Sequence, residues 1–368
     1  MNPFKYGSTV DGEYFCPRPS LSKGLASYIE SGQNVVIQGE RRTGKTSLVL
    51  ETVRTVKGVA LCHADLLCIR DTADLCGRLV AALARLEKSD GWLTKLLRVL
   101  GHLRPTVSID PDSGSPTLSV DARIASEPSS LDSILDAIVA QTARRKVCVV
   151  LDEFQDILRL DESERALAVM RSRIQLDSRT PYIFLGSVQN KMADLFFRHS
   201  GPFYHAAAAF PVGGIDADDF HRFLRKRFAT GGREFPRDVF DAVSAAANGI
   251  PGFIQELCDA LWQGSDTGAV LAHSNLGTAM ARILAREQEN YAFAVRRLTP
   301  LQFRVLKAIA ERGGRELYSA DFLIAARVVH TSAVKKAVEK LEKEELVCSV
   351  GGETRILNPF FAEWVRRL

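Results

Sequence analysis

The sequence predicts an α/β protein: a core with a doubly wound parallel β-sheet, then a small helical domain, then a C-terminal winged helix-turn-helix. Three observations predict it. Short β-branched runs alternate with segments of helical periodicity up to residue 212. Strand signals then stop, and the chain closes with three helices followed by two short strands. We therefore place the domains at residues 1–212, 213–295 and 296–368.

The composition narrows the class of protein. The chain has 368 residues, of which 46% are hydrophobic and 25% charged, as in globular proteins of two or three domains. No apolar run approaches the roughly 20 residues of a membrane span. The N-terminus lacks the pattern of a secretion signal. Seven scattered cysteines without a Cys-x-x-Cys pair favour reduced, buried thiols over a metal site or disulfides. We therefore expect the protein to reside in a reducing cytoplasm.

The first chemical signature is a glycine-containing loop between a predicted strand, Asn34–Gln38, and a predicted helix, Ser47–Val56. Such a loop turns backbone N–H groups towards phosphate oxygens, and the following helix presents its positive end to the same anion. Lys45 would bridge the β- and γ-phosphates, and the Thr46 hydroxyl would ligate Mg²⁺. The pattern predicts a nucleoside triphosphate site. Its residues are Gly39, Glu40, Arg41, Arg42, Thr43, Gly44, Lys45, Thr46 and Ser47.

The second signature is an apolar run, Val147–Leu151, that ends in two acids, Asp152 and Glu153. The run predicts a central strand buried on both faces. Asp152 would then lie at the carboxyl end of that strand and hold Mg²⁺ through water. Glu153 would orient and deprotonate the attacking water. The presence of Glu153 favours hydrolysis over binding alone.

A further core strand is predicted to end at Ser187, with Gln189 and Asn190 just beyond. One of these three side chains would touch the γ-phosphate or the attacking water, and Ser187 is the candidate catalytic residue. Capping of the next helix by Ser187 is the alternative. Residues 105–124 alternate apolar and polar around a turn, which predicts a β-hairpin inserted in the core. That hairpin either contacts a partner or simply covers the core.

Four helices are predicted between Asp216 and Tyr291, separated by glycine-rich breaks. A small helical domain after a phosphate-binding core is expected to cover the nucleotide. Pro251 lies in a turn between two of these helices. It would stiffen that turn, whose backbone could pack against the adenine or the sugar. Pro251 is therefore a candidate nucleotide-binding residue.

The last segment predicts a winged helix-turn-helix that begins at Pro300. Residues 296–368 contain 14 Lys and Arg against 9 Asp and Glu. The third helix of the segment would lie in the major groove of DNA, where lysines neutralise phosphates. Glutamates on the same helix dilute that charge, and no Arg or Asn is placed to contact a base edge. Both duplex DNA and a protein partner remain open. The candidate DNA-binding residues are Lys335, Lys336, Lys340 and Lys343.

Taken together, these motifs resemble the archaeal-type P-loop ATPases, which are related to the AAA+ origin-recognition ATPases and the STAND signalling ATPases. The likeness runs nearly from end to end. Its most specific parts are Arg41-Arg42 in the loop, the run Leu151-Asp152-Glu153-Phe154-Gln155 and the ending Pro359 to Trp364. The resemblance implies ATP as the nucleotide, Mg²⁺ as the metal and a conformational switch as the mechanism.

Two departures from these relatives bear on the site. Relatives often carry an arginine after the pair Phe203-Tyr204, whereas His205 follows here, so nearby Arg198 is the candidate arginine finger. No arginine lies between Pro251 and Leu257, where AAA+ proteins place one, and this fits the STAND pattern better.

Two functions follow as hypotheses. In the first, an ATP-hydrolysing switch couples its nucleotide state to DNA binding by the winged helix, in a homo-oligomer that assembles with nucleotide. In the second, a STAND-like regulatory or defence adaptor holds ATP and docks a protein partner. Neither hypothesis involves a membrane.

Overall fold

The computed structural model describes residues 2–86, 106–109, 116–119, 128–142, 145–187 and 189–368. The chain divides into two compact units. One unit, here called the sheet unit, comprises Thr9–Gly213, and the other, the helical unit, comprises Met1–Ser8 with Gly214–Leu368. The three-domain division made from sequence stays a prediction. No helix in these described ranges is long and apolar enough to span a membrane.

The sheet unit contains a five-stranded sheet in which every pairing is parallel. The spatial order is β2-β5-β6-β1-β7. The predicted doubly wound α/β fold is thereby confirmed, and the carboxyl ends of the strands share one edge. The strands are β1 (Val35–Gln38), β2 (Val59–Asp65), β5 (Lys146–Asp152), β6 (Tyr182–Gly186) and β7 (Ala208–Ala209).

Helices cover both faces of this sheet. Each face buries alternate residues of β5, as the two-residue period of a strand requires. Val147, Val149 and Leu151 belong to one hydrophobic core, whereas Cys148 and Val150 belong to the other. Burial on both faces explains why this strand is a continuous apolar run. The helices are α1 (Pro19–Ser31), α2 (Lys45–Thr55), α3 (Thr72–Ala84), α4 (Pro128–Thr142), α5 (Ser163–Leu176) and α6 (Gln189–Phe196).

Strands β3 (Thr106–Ile109) and β4 (Pro116–Ser119) pair antiparallel, with Thr106 opposite Ser119. Residue 105, the turn at 110–115 and the far end at 120–124 of the predicted hairpin lie outside the described residues. The two edge strands of the sheet differ from its central strands. The mostly apolar run of β2 is typical of a buried strand, but β2 has mainly intermediate exposure, because it has a neighbouring strand on only one side. At the opposite edge, β7 has only two residues.

The helical unit consists of helices and one small hairpin. The wing is formed by β8 and β9, which pair antiparallel with Val347 opposite Ile356. The three helices and the wing predicted at the C-terminus are present. The elements are α7 (Ala217–Ala229), α8 (Arg237–Ala246), α9 (Pro251–Gln263), α10 (His273–Arg296), α11 (Pro300–Arg312), α12 (Ala320–Ala326), α13 (Thr331–Lys343), β8 (Val347–Val350), β9 (Glu353–Ile356) and α14 (Pro359–Arg366).

Helix α10 joins the helical bundle, formed by α7 to α10, to the winged helix. It has 24 residues, and its C-terminal end extends beyond Tyr291, where the sequence predicts the helical segment to end. Tyr291 of α10 packs against Phe361 and Trp364 of α14, with ring centroids 5.2 and 5.8 Å apart. Phe253 of α9 contacts Phe360 of α14 edge-on at 5.4 Å. The aromatic side chains of α14 therefore pack against both α9 and α10.

The first residues of the chain are anchored in the helical unit. Phe4 is buried, and its ring lies 4.7 Å from that of Phe228 and 6.1 Å from that of Trp262. The Asn2 amide donates a hydrogen bond to Asp259. Aromatic burial of this kind holds a terminal segment that would otherwise fray.

Candidate functional site

The loop between β1 and α2 has the geometry of an anion-binding site. Gly44 has φ +82°, a left-handed conformation that favours glycine, and is the N-cap of α2. No side chain caps this helix. Leu48 N–H donates to Gly44 O at 2.9 Å, so the helix is regular from its first turn. The N–H groups of that turn point out of the helix without side-chain partners, and helix N-termini of this kind bind anions.

Lys45, the first residue of α2, places a buried cation under this loop. Its Nζ donates to Gly39 O at 2.9 Å and to Glu40 O at 2.6 Å. Burial lowers the pKa of Lys45 to about 8, against the opposing influence of Glu153 and Asp152. A desolvated ammonium held by the loop's own carbonyls is a strong partner for a phosphate oxygen, because the interaction is not screened by water.

Thr46 and Asp152 place two side-chain oxygens next to each other. Thr46 Oγ1 donates to Asp152 Oδ2 at 2.7 Å, and Glu153 N–H donates to Asp152 Oδ1 at 2.9 Å. Burial by itself raises the pKa of Asp152, but His63, Thr46 and the Glu153 N–H outweigh it and hold that pKa below its usual value. These adjacent oxygens fit a Mg²⁺ site in which Thr46 would ligate the ion and Asp152 would hold it through water.

Glu153 follows Asp152 and has φ 49°, an uncommon left-handed conformation for a residue with a side chain. Its Oε2 accepts hydrogen bonds from Ser187 Oγ at 2.7 Å and from Gln155 Nε2 at 2.5 Å. Arg41 Nε of the loop donates to Ser187 Oγ at 3.3 Å. The structure thus brings together Glu153 and Ser187. The side chains of the alternatives, Gln189 and Asn190, lie outside the described residues.

The loop is braced from outside by residues that sequence reasoning missed. Arg18, 7% exposed, donates to Thr43 O at 3.4 Å and also to Gly213 O. Ser47 Oγ accepts from Val10 N–H at 3.0 Å. These bonds tie the loop to the N-terminal segment of the sheet unit. No local sequence pattern predicts the role of Arg18, because its partners lie far from it in the chain.

His63 is a second residue that sequence reasoning missed. It lies on β2, whose residues His63 and Asp65 are in register with Val150 and Asp152 of β5. Its Nε2 is 3.9 Å from Asp152 Oδ2, beyond hydrogen-bond reach. No sequence pattern indicates that His63 lies near Asp152, because β2 and β5 are distant in the chain and become neighbours only in the folded sheet. Across the described ranges, no three His, Cys, Asp or Glu side chains cluster as a metal site.

Other predicted residues lie apart from this network. Arg198 is exposed and lies 3.9 Å from Asp194. Pro251 is the first residue of α9 in the helical unit and is buried there. On α13, Lys340 pairs with Glu344 at 2.6 Å. Lys335, Lys336 and Lys343 are exposed, and no ion pair to them occurs in the described part of the chain.

With this geometry established, comparison with known proteins is informative. Residues 23–185 match the family model described as "AAA ATPase domain", and residues 289–367 match "Probable winged helix domain". The chain carries an AAA ATPase domain. This ATPase domain spans β1 to β6 and contains the loop, Asp152 and Glu153. The winged-helix match begins inside α10, as expected for a helix shared between bundle and wing. No curated protein sequence matches the chain.

Solved structures share the architecture of the whole chain around this ATPase domain. The Walker-type ATPase PABY2304 of Pyrococcus abyssi is similar with a TM-score of 0.67 and 18% identity, covering 99% of each chain. The ORC2 protein of Aeropyrum pernix has a TM-score of 0.56 and 15% identity, covering 99% of this chain and 98% of that one. The ORC1 protein of Aeropyrum pernix, solved with DNA, has a TM-score of 0.52 and 14% identity, covering 97% of this chain and 94% of that one. At these identities the likeness shows the fold.

Proposed function

We propose that this ATPase is a switch in which ATP binding and hydrolysis control the attachment of the winged helix to duplex DNA. The proposal that this protein hydrolyses ATP rests on one hydrogen-bonded network, which joins Arg41, Ser187 and Glu153 beside the Thr46–Asp152 pair. The coupling rests on the aromatic core that α9, α10 and α14 share. A movement of the helical bundle must therefore carry the winged helix with it.

Each residue of the network has a role in this proposal. The loop N–H groups and Lys45 bind phosphate, and Thr46 and Asp152 hold Mg²⁺. When bound, the metal supplies charge neutralisation at the phosphates. Glu153 accepts the proton of the attacking water, and Ser187 orients Glu153. Arg198 is exposed and is assigned to a second copy's site, which is how a donated arginine acts. Pro251 stiffens the turn at the start of α9.

Helix α13 is the proposed DNA-binding element. Lys335 and Lys336 lie exposed on its first half and have no carboxylate partner within the described residues, and Lys343 is exposed near its end. Lys340 is partly neutralised by Glu344. Among proteins of the same fold, the Aeropyrum pernix ORC1 structure contains DNA. We therefore rank Lys335 and Lys336 above Lys340 as proposed phosphate contacts.

We expect the double variant Lys335→Ala/Lys336→Ala to weaken duplex DNA binding and to lower the slope of log affinity against log salt by about two, roughly one per lysine. The measurement is fluorescence anisotropy with labelled duplex at several salt concentrations. Lys57→Ala, an exposed lysine of the sheet unit, is the matched control and should change neither quantity. Absence of DNA retention by the unaltered protein even at low salt, or ATP turnover that DNA does not raise, would refute the DNA-coupled switch.

The lowered pKa of Lys45 makes nucleotide affinity depend on pH. The group is charged below about pH 8 and loses its proton as the pH rises through that value. A neutral amine no longer attracts phosphate, so affinity for ATP should fall between pH 7 and 9.5, by up to about tenfold per unit at the upper end. Calorimetric titration would check this. Lys45→Arg keeps its charge throughout, and a matching decline in that variant would show that another group is responsible.

A specific observation favours the adaptor as a second candidate. Three apolar side chains of the winged helix face solvent around α12: Tyr318 is 53%, Ile324 74% and Val329 83% exposed. Exposed apolar clusters are typical of protein-binding surfaces. If the protein binds ATP but does not retain DNA at low salt, the adaptor becomes the leading function, and this surface becomes the one to test for a partner.

A further inference from the structure

The carboxylate of Glu153 is held asymmetrically. Oε2 accepts two hydrogen bonds, from Ser187 Oγ and Gln155 Nε2. Within the described part of the chain, no donor reaches Oε1. A carboxylate oxygen that accepts two bonds has little remaining capacity, whereas the other oxygen keeps its lone pairs. One oxygen is therefore fixed by protein, and the other is left to accept a proton from water.

Gln155 is an unusual residue for its environment. It is 0% exposed, in the 3₁₀ turn that follows Glu153. Its Nε2 contacts Glu153, but its Oε1 has no hydrogen-bond partner among the described residues. A buried amide oxygen without a partner costs stability, so an apolar side chain of similar size would be the cheaper occupant. The bond to Glu153 is what this glutamine adds over such a side chain.

The amide group of Gln155 is tightly packed, with no room for an added side chain at the neighbouring glycine. Gly186, the last residue of β6, lies beside it. A Cβ added at Gly186 would lie 2.7 Å from Gln155 Oε1 and 2.3 Å from Met192 Cγ. A residue with a side chain at 186 would therefore displace the amide or Met192. The backbone of Glu153 is also in a left-handed conformation, and uncommon conformations of this kind are concentrated at functional sites.

We infer that Gln155 is a positioning residue for ATP hydrolysis: with Ser187 it fixes Oε2 of Glu153, so that Oε1 accepts the proton of the attacking water. Arg41 connects the same network to the phosphate loop through Ser187. The inference rests on the proposed role of Glu153 as the base. Gln155 makes no contact with nucleotide in this assignment and acts through Glu153 alone.

The test replaces Gln155 with methionine, which fills a similar volume and donates no hydrogen bond. We expect kcat to fall on the order of ten- to a hundredfold because the base is no longer held, with KM for ATP nearly unchanged. The matched control is Gln141→Met. Gln141 is another buried glutamine, on α4, whose Oε1 also has no hydrogen-bond partner among the described residues, and its replacement should leave kcat unaltered.

A double variant separates positioning from a structural role. In a Glu153→Gln background, Gln155→Met should change the residual turnover less than twofold, because the effect acts through the carboxylate. If Gln155→Met leaves kcat unaltered while Glu153→Gln removes turnover, the positioning role is wrong and the base assignment survives. If Glu153→Gln retains full turnover, the base assignment itself fails. An equal loss from Gln155→Met in both backgrounds would show a structural role and would also overturn the inference.

Discussion

Glu153→Gln is expected to lower ATP turnover by about 10²- to 10⁴-fold, the usual contribution of a general base. The amide keeps the shape of the side chain and can still contact Ser187, but it cannot accept a proton at neutral pH. In the proposed function, nucleotide binding depends on Lys45, Thr46 and the loop, none of which changes. Affinity for ATP should therefore stay within a few-fold of the unaltered protein. Steady-state phosphate release measures ATP turnover, and calorimetric titration measures the affinity for ATP.

The control for this experiment is Glu162→Gln. Glu162 is an exposed carboxylate shortly after Glu153 in sequence, at the N-cap of α5, where its side chain makes no capping bond. Its replacement should leave turnover unaltered. Turnover by Glu153→Gln equal to that of the control would mean that another group takes the proton of the water.

Phe154→Ala is expected to cause the largest loss of stability, about 3–5 kcal/mol in the free energy of unfolding of the sheet unit. The side chain is fully buried. Its ring centroid lies 4.8 Å from that of Phe184, 5.4 Å from that of Phe203 and 5.8 Å from that of Phe196. Truncation removes the centre of this aromatic cluster, and the rings around it cannot all move inward to fill the cavity.

Urea unfolding followed by circular dichroism measures this effect, with separate transitions fitted because the chain has two units. The matched control is Phe293→Ala on α10, whose ring is 61% exposed and whose loss should change stability by less than about 0.5 kcal/mol. A loss for Phe154→Ala as small as the control's would mean that the cluster repacks. Because Phe154 adjoins Glu153, turnover should fall as well.

Local sequence was sufficient for the phosphate loop and for the Asp152–Glu153 pair. In both, the functional residues are contiguous and lie at the junction of a buried strand with a loop, so periodicity and residue type specify their position. Ser187 was one of three candidates, since the end of a strand can be predicted to within a few residues at best. The hydrogen bond from Ser187 to Glu153 depends on β5 and β6 being neighbours.

The sequence by itself determined the α/β class, the candidate nucleotide loop, the two acids and the winged helix, because each of these features depends on the pattern of residues within a short contiguous segment. The tertiary structure alone decided which side chains from distant stretches meet. It placed Ser187 on one oxygen of Glu153, His63 beside Asp152 and Phe4 among the aromatic rings of the helical unit. Those contacts arise from strand order and packing, which depend on the free energy of the whole chain and leave no short-range pattern in the sequence.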